Sequence, residues 1–492
     1  MAGPWIRIFS PEPNRRKPFV PVPSLMRMPP RDADPLTYFK LLFPDILAKE
    51  IIRHTNTYAK GQFYDENLRP RSRTREWKRI GMTDFHSFLA IMFNMSIIKK
   101  PSMEEYWNTT MISQRSNWFK HTMGRNRFQN ILKFLHINDC RHVAERNHPG
   151  YDPSVRFRPL LHFVNRQFMR FKVPNRELCV DESLVPTKGH SVLRQYIPSK
   201  VARYGVKFWV LCESSTGYVL QMQVYRGREF DPVPPGQLQG TNVVVELLQG
   251  SSLLHKGYHV FCDSFFTSLN LGHRLLQLNT YLTGTLRKNR PMPHLVKDAN
   301  QPGNTVYLRR GDFLCLSHFG ADEKKPVRLT LLSTILPAQE LGSGKPRVIA
   351  SYNTNMGAVD MNDGILHSYG KQRKCQKVWK KILVHLLFRI LMNSYILYKE
   401  NTALRVKSRL QYIQAVIEAL AGTKKPDNPR RRAVKKVSLI TLPQKKEKDC
   451  CVCSSRMRHG RGIRRRSRTI CSLCERGLHR QCIGRHLNCI EQ

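Results

Sequence analysis

The stretch Tyr258-His-Val-Phe-Cys-Asp263-Ser-Phe-Phe-Thr267-Ser-Leu-Asn constrains the fold more than any other in this chain. A mostly apolar run reaches a lone carboxylate. A turn and a possible N-cap, Thr267, follow, then the helix-period stretch Leu269 to Leu278. The pattern predicts a buried strand that ends on an acid and turns straight into a helix. Burying an acid costs desolvation energy unless a cation offsets it, and a divalent metal is one common source of that charge. The plain alternative is an aspartate that caps the helix. Two further acids stand in comparable settings. Asp181 ends the apolar run Glu177-Leu-Cys-Val, and Asp360 lies in Met356-Gly-Ala-Val-Asp360-Met-Asn-Asp363, where Asp363 shares a helical face with it. Two carboxylates on neighbouring strands and one on a following helix are able to hold a pair of divalent cations for phosphodiester chemistry.

Charge narrows the partner. With 82 Lys and Arg against 36 Asp and Glu, the formal net charge is +46 and the pI about 10.2. That excess points to a polyanion, with nucleic acid first. The 492 residues exceed one hydrophobic core, and 41% hydrophobic content supports a packed centre. No apolar secretory segment opens the chain, so an intracellular protein is expected. The greasiest stretch, Ile382 to Tyr398, contains His385, Arg389 and Asn393 and predicts a core helix, with no membrane partner.

Taken in order, residues 1–33 are Pro- and Arg-rich without periodicity, which predicts a disordered basic arm. Residues 34–175 carry helical periods, and Ser102-Met-Glu-Glu105 has the form of a capping box. From residue 176 to 285 strands enter: Glu177–Asp181, then Lys207–Cys212 and Tyr218–Tyr225 joined by a short loop, a helix over Thr241–Leu248, and the Asp263 strand with its helix. Residues 286–345 are turn-rich and read as a β-rich insertion, with a strand over Val327–Ser333. Residues 346–404 bring a strand at Arg347–Ser351, the final aspartates and a long buried helix. Residues 405–449 read as a basic linker, and 450–492 as a cysteine-rich domain. From Arg405 onward about 23 Lys and Arg face about 6 Asp and Glu. Within the linker, Arg430, Arg431, Arg432, Lys435 and Lys436 form a candidate nuclear-import run, which points to the nucleus.

Several ordered motifs resemble the piggyBac transposases and the transposable element-derived proteins descended from them. They are Asp34-Pro-Leu-Thr-Tyr-Phe-Lys-Leu-Leu-Phe43, Val180-Asp181-Glu-Ser-Leu, Tyr196-Ile-Pro-Ser-Lys-Val-Ala-Arg-Tyr204-Gly205-Val-Lys207, Cys262-Asp263-Ser-Phe-Phe-Thr-Ser-Leu, Gly284-Thr285-Leu-Arg287, Tyr352-Asn353 and Gly357-Ala-Val-Asp360-Met-Asn-Asp363. The resemblance implies a multi-domain α/β fold. A ribonuclease-H-like mixed sheet would be flanked by a helical dimerisation and DNA-binding domain, over 34–175, and interrupted by an insertion. It implies Asp181, Asp263 and Asp360 as catalytic acids with Asp363 as a fourth, two Mg²⁺ ions, cleavage at transposon ends and joining at TTAA targets. Lys207 and Arg287 are implied phosphate contacts, and a homodimer the assembly. Some positions depart from the family pattern: Ala358, Gly364 and Gly189-His190. Two readings stay open, a working transposase on double-stranded DNA and a domesticated nuclear DNA-binding descendant.

Of thirteen cysteines, seven follow Asp449. Four pairs share one spacing: Cys450/Cys453, Cys471/Cys474, His479/Cys482 and His486/Cys489. Two intervening residues let both side chains reach one ion, and tetrahedral Zn²⁺ takes two such pairs, so two zinc ions are expected. The run from Cys474 to Cys482 resembles cross-brace zinc fingers of the plant-homeodomain and RING kind. That resemblance pairs Cys450, Cys453, His479 and Cys482 on one ion, and Cys471, Cys474, His486 and Cys489 on the other. In the piggyBac family this tail reads terminal-repeat DNA, for which Arg464, Arg465 and Arg466 are candidate contacts. Cross-brace fingers also bind chromatin proteins, which stays open as a partner class.

Overall fold

The computed structural model describes residues 4–7, 18–63, 69, 72–139, 143–198, 200, 202–297, 304–320, 328–369, 377–402, 406–422, 438–454, 463–472 and 474–486. It forms two units, Met1–Gly422 and Thr423–Gln492. The first opens with helices α1 (Pro35–Leu42), α2 (Asp45–Phe63), α3 (Met82–Ile97), α4 (Asn117–Thr122), α5 (Arg125–Phe134) and α6 (Arg158–Phe171). Asp34 starts α1 by accepting the Thr37 N–H at 2.9 Å, with Pro35 at the first helical position. Helix α3 is apolar on several faces because several faces are buried, through Phe85, Phe88, Leu89 and Phe93. The helix expected to open at Ser102 is replaced by a shorter element that starts two residues later. A single 3₁₀ turn, Glu104–Tyr106, follows Met103 without a side-chain cap. The Tyr106 hydroxyl sets the local path, accepting from the Lys100 N–H at 3.0 Å and donating to the Ile98 carbonyl at 2.8 Å.

One ten-stranded mixed sheet follows, built from β1 (Ile6–Arg7), β4 (Glu177–Pro186), β5 (Arg194–Tyr196), β6 (Tyr204–Glu213), β7 (Val219–Val224), β8 (His259–Cys262), β9 (Tyr281–Thr285), β10 (Thr305–Arg310), β11 (Phe313–Phe319) and β12 (Arg328–Ser333). A separate short pair joins β2 (Ser24–Leu25) to β3 (Lys172–Val173). In the large sheet β6 runs antiparallel to both β4 and β7, while β4, β8 and β9 run parallel. The parallel crossings use α7 (Gln239–Gly250) and α8 (Leu269–Gln277). The β-rich insertion continues this sheet, because β12 pairs antiparallel with β9. The short helix α9 (His294–Lys297) precedes it.

Two asparagines occupy the backbone of β7. Asn165 of α6 accepts from the Met222 N–H and donates to its carbonyl, at 3.0 and 2.8 Å. Asn393 does the same to Val219, at 3.0 and 2.8 Å.

Further expectations need correction. The arm over 1–33 is not disordered where it is described: Ile6 and Arg7 pair with β10, Ser24 and Leu25 with β3, and Phe19 sits edge-on to Tyr258 at 5.0 Å. A few apolar side chains docked on the core achieve this without any periodicity. The segment Arg347–Ser351 is not a strand but the start of α10 (Arg347–Asn355), which Pro346 precedes at the N-cap. Its two β-branched residues, Val348 and Ile349, pack on Leu314, Leu316 and Leu331, and that tertiary contact overrides their strand preference. Asp181 does not end its strand, since β4 runs on to Pro186 with Ser183 and Val185 buried. The expected cap Thr267 is replaced by Ser268, whose hydroxyl accepts the Leu271 N–H at 3.0 Å.

Beyond α10 come α11 (Ala358–Tyr369) and α12 (Val378–Asn401). Helix α12 has the length and hydropathy to cross a membrane, yet it is mostly buried within this unit and carries Arg389 and Asn393 inside. The basic linker expected over 405–449 contains a core helix, α13 (Arg409–Ala421). Ser408 and Gln411 form its capping box, and Tyr412, Ile413, Val416, Ile417 and Leu420 bury its inner face against α3 and α1. Charge summed over the whole segment hid this apolar period. The second unit contains β13 (Leu439–Thr441), β14 (Lys448–Asp449), β15 (Arg466–Ser467) and β16 (Thr469–Cys471), paired as β13 with β16 and β14 with β15. Its strands therefore begin before Cys450. The import run, Arg430 to Lys436, lies outside the described residues.

Candidate functional site

Val180 of β4 and Cys262 of β8 are register partners, so the next residues, Asp181 and Asp263, emerge side by side. One carboxylate oxygen from each, with one from Glu182, lies within 4.8 Å of the others. Local structure fixes them. The Glu182 N–H donates to Asp181 Oδ1 at 2.8 Å, and the Phe265 N–H to Asp263 Oδ1 at 2.9 Å. Below the Asp263 turn, the Thr267 hydroxyl donates to the Asp263 carbonyl at 2.8 Å. Gly284 on β9 backs this turn, where any Cβ would collide with Thr267 and the Cys262 carbonyl.

Packing three carboxylates together raises their proton affinity. Burial and the charges of Glu182 and Asp263 push Asp181 up to about 8. Glu182 is also raised, first by burial and with Asp263 adding to it. Burial raises Asp263 too, while the backbone N–H groups of Phe265 and Phe266 and the nearby Arg287 pull it back.

Two lysines answer this charge. Lys200 Nζ donates to Asp360 Oδ1 at 3.2 Å and lies 4.0 Å from Glu182 Oε1. Burial alone would lower its proton affinity, but Asp181, Asp360 and Glu182 outweigh it and the ammonium is held above its usual range. Asp360 thus joins the group through Lys200, on an exposed stretch of α11 with its side chain 68% accessible. Lys207 sits in an aromatic cage, its Nζ 3.8 Å from the Trp209 ring centre, 4.8 Å from Tyr225 and 5.3 Å from Phe265. Burial lowers it to about 8 against the pull of Glu182 and Asp263. Arg287 flanks the same Phe265 at 5.6 Å, its Nε 3.3 Å from Ser264 Oγ.

Asp363 turns elsewhere. Its Oδ1 accepts from the wholly buried Arg389 and from Ser183 Oγ at 2.9 Å, and Arg389 also donates to Asn362 and to Ser183. The fourth aspartate therefore ties α11 to α12 and β4. Sequence reasoning passes over Glu182, Lys200 and Arg389. Glu182 adjoins Asp181, a place where strand alternation argues against a shared site. Lys200 comes from a loop that no spacing connects to the acids, and Arg389 signals in sequence only that its helix stays out of the membrane.

In the second unit, Cys450, Cys453, His479 and Cys482 form one group of donors and Cys471, Cys474 and His486 another, each within 4.8 Å. Cys489 lies outside the described residues. Cys451 Sγ is 3.5 Å from His486 Nδ1, while Cys474 Sγ is 3.3 Å from its Nε2. Burial resists ionisation of Cys450, but backbone N–H groups at His479, Val452 and Cys453 outweigh it and bring the thiol down to about 6. A thiolate among cysteine and histidine donors suits a soft or borderline metal, and the first group has the donor number of a closed tetrahedral site. Arg464 and Arg466 lean on Asp449, at 2.9 and 4.0 Å, and Arg464, Arg465 and Arg466 are all exposed.

The carboxylate donors fit a hard cation instead, because three acids at this distance require neutralisation and offer only oxygen.

Comparison with known proteins gives a consistent answer. Residues 34–395 match the family model described as Transposase IS4. The human PiggyBac transposable element-derived protein 3 is 24% identical over 502 residues, covering 94% of this chain and 78% of that protein. The human PiggyBac transposable element-derived protein 5 is 23% identical over 424 residues, covering 80% of this chain and 77% of its own. A piggyBac transposase, solved by cryo-EM as a synaptic complex with hairpin DNA, has the same fold. Its TM-score is 0.73 at 24% identity, covering 94% of this chain and 98% of that one. With the family match spanning well over half of its length, this chain is a piggyBac-type member of the Transposase IS4 family.

Proposed function

We propose that this protein is a metal-dependent DNA transposase that cleaves and joins DNA strands through Asp181, Asp263 and Asp360. The observation that carries the reading is the meeting of Asp181, Glu182 and Asp263 on adjacent strands, with Asp360 tethered beside them by Lys200. Asp181 and Asp263 would hold Mg²⁺, with Asp360 completing the set for two ions. When bound, such ions activate the attacking oxygen and stabilise the leaving one. The residues of this chain do the positioning. Lys207, fixed by three aromatic rings, and Arg287 present cations where a scissile phosphate would lie against Phe265. Asp363 acts through Arg389, holding α11 so that Asp360 faces β4. The strand order β7-β6-β4-β8-β9 supports the ribonuclease-H-like reading of the core.

The family and the hairpin DNA held by the structural neighbour support DNA as the substrate; double-stranded terminal repeats and a TTAA target are what the resemblance implies. Action on DNA and the basic run of the linker support work in the nucleus, and a homodimer is the assembly expected from the resemblance. In the second unit we read two Zn²⁺ sites, the second completed by Cys489 or by Cys451, whose Sγ lies 3.5 Å from His486. A second reading, a domesticated DNA-binding protein without mobilisation, is favoured by the human relatives, whose names describe them as element-derived.

The deciding experiment incubates full-length protein with duplexes carrying candidate ends flanked by TTAA, in Mg²⁺ or Mn²⁺, beside Asp263→Ala. Nicked and hairpin products that disappear in the variant support the enzyme. Tight binding by both proteins and cleavage by neither favours the domesticated reading.

A further inference from the structure

A second basic surface lines an open trough of about 1590 Å³ between α6, β7 and α7, and none of the clustered acids borders it. Helix α6 buries Leu161, Val164, Asn165 and Phe168. Its opposite face presents Arg158, His162, Arg166 and Arg170, all exposed and spaced four residues apart. At 1.5 Å of rise per residue this makes an inclined row that climbs roughly 18 Å along the helix axis. Like charges at that spacing destabilise a helix, so the row fits best against an anion. Arg158 is paired with Asp152, but among the described residues neither Arg166 nor Arg170 has a carboxylate partner. The two acids of the trough are engaged: Asp231 by Arg226 at 2.7 Å, and Glu246 by the Gln223 amide at 2.8 Å. Lys256 lines it as well.

The trough also has an orientation. Gln221 and Gln223 line it, and strand alternation puts Tyr225 on their face of the sheet. Tyr225 is one wall of the Lys207 cage. The amide-lined floor and the caged cation therefore lie on one line along β7.

We propose that this trough holds the sugar–phosphate backbone of duplex DNA, with one strand lying along the α6 row, independent of sequence. The proposal rests on DNA being the ligand of this protein and adds a second binding surface to it. The side chains of the row stand at roughly 6 Å intervals, so successive phosphates of one strand meet successive side chains. Exposed arginines, the Gln221 amide and the exposed Lys256 are groups of the kind that touch phosphate without reading bases.

The test uses the full chain in an Asp263→Ala background, so that DNA stays intact, and a blunt duplex of arbitrary sequence. Fluorescence anisotropy over a salt series gives the slope of log affinity against log salt. Arg166→Glu/Arg170→Glu should lower affinity at least about tenfold and reduce the slope by about two, close to one for each phosphate no longer neutralised. Arg166→Lys/Arg170→Lys should keep the parent slope and thereby exclude misfolding. A matched reversal outside the helical domain, at the exposed Lys297→Glu/Lys345→Glu, should change the slope by less than about half a unit. Equal shifts from both reversals would reduce the effect to net charge and overturn the proposal. So would an unchanged DNA slope with loss of binding to a poly-glutamate peptide, which would reassign the trough to an acidic protein. Failure of the wild-type protein to cleave any duplex leaves this slope measurement intact, so the two readings stand or fall separately.

Discussion

The carboxylate group and the cysteine–histidine groups solve opposite problems. In the first unit, a large apolar core holds β4 and β8 in register and forces acids together against their repulsion. In the second, the buried cluster consists of Cys450, Cys471, Leu478 and Cys482, so the residues of the core are largely the candidate ligands themselves. One site is imposed by a fold that stands without it. The other has almost no fold apart from it. A metal at the first would relieve repulsion, whereas a metal at the second would supply the structure.

Removing zinc should produce the largest effect. Chelation, or Cys453→Ser, should unfold the second unit, because a structural zinc site contributes about 10 kcal/mol or more to such a domain. Limited proteolysis should then cut within 438–486 while the thermal transition of the first unit stays in place. A second unit that remains protected without metal would break the comparison. Next, Asp263→Ala should reduce strand cleavage by about 10³-fold or more, equivalent to about 4 kcal/mol, without lowering the melting temperature of the first unit.

The two late aspartates sharpen the contrast within one helix. Asp363→Ala leaves the fully buried Arg389 without its carboxylate and should cost about 3 kcal/mol in a denaturant melt. Asp360→Ala, three residues away and exposed, should stay within about 0.5 kcal/mol. Asp181 gives an effect whose size depends on pH. Its folded-state value, about 8, exceeds the ordinary 3.8, so its stabilising contribution is complete below about pH 4 and is lost as pH rises toward 8. In the absence of divalent cation, Asp181→Asn should therefore be more stable than the parent by about 1–2 kcal/mol at pH 8, with no advantage near pH 4. Equal stability at both pH values would mean that neither burial nor the neighbouring acids raise Asp181.

Much of this contrast is legible in the chain. The donor spacing Cys-x-x-Cys is a local property, and the run into Asp263 carries its strand and turn in consecutive residues, so both can be read directly. What stays hidden depends on partners distant in sequence. Lys200 reaches Asp360 across 160 positions, and Arg389 reaches Ser183 across 206. Helix α13 escapes for a different reason. Its apolar period shares a segment with a dense basic run, and composition averaged over both reports only the charge. The start of α10 misleads because Val348 and Ile349 look like strand residues until the sheet they pack against is known.

The two asparagines on β7 have a consequence for the whole molecule. An edge strand with free N–H and C=O groups is a template on which another chain can add a strand. Here side-chain amides from two helices stand in for a neighbouring strand at Val219 and Met222, and cover that edge. The sheet is thereby closed to growth along β7 without a proline in the strand, and two helices of the same chain do the work that a partner strand would otherwise do.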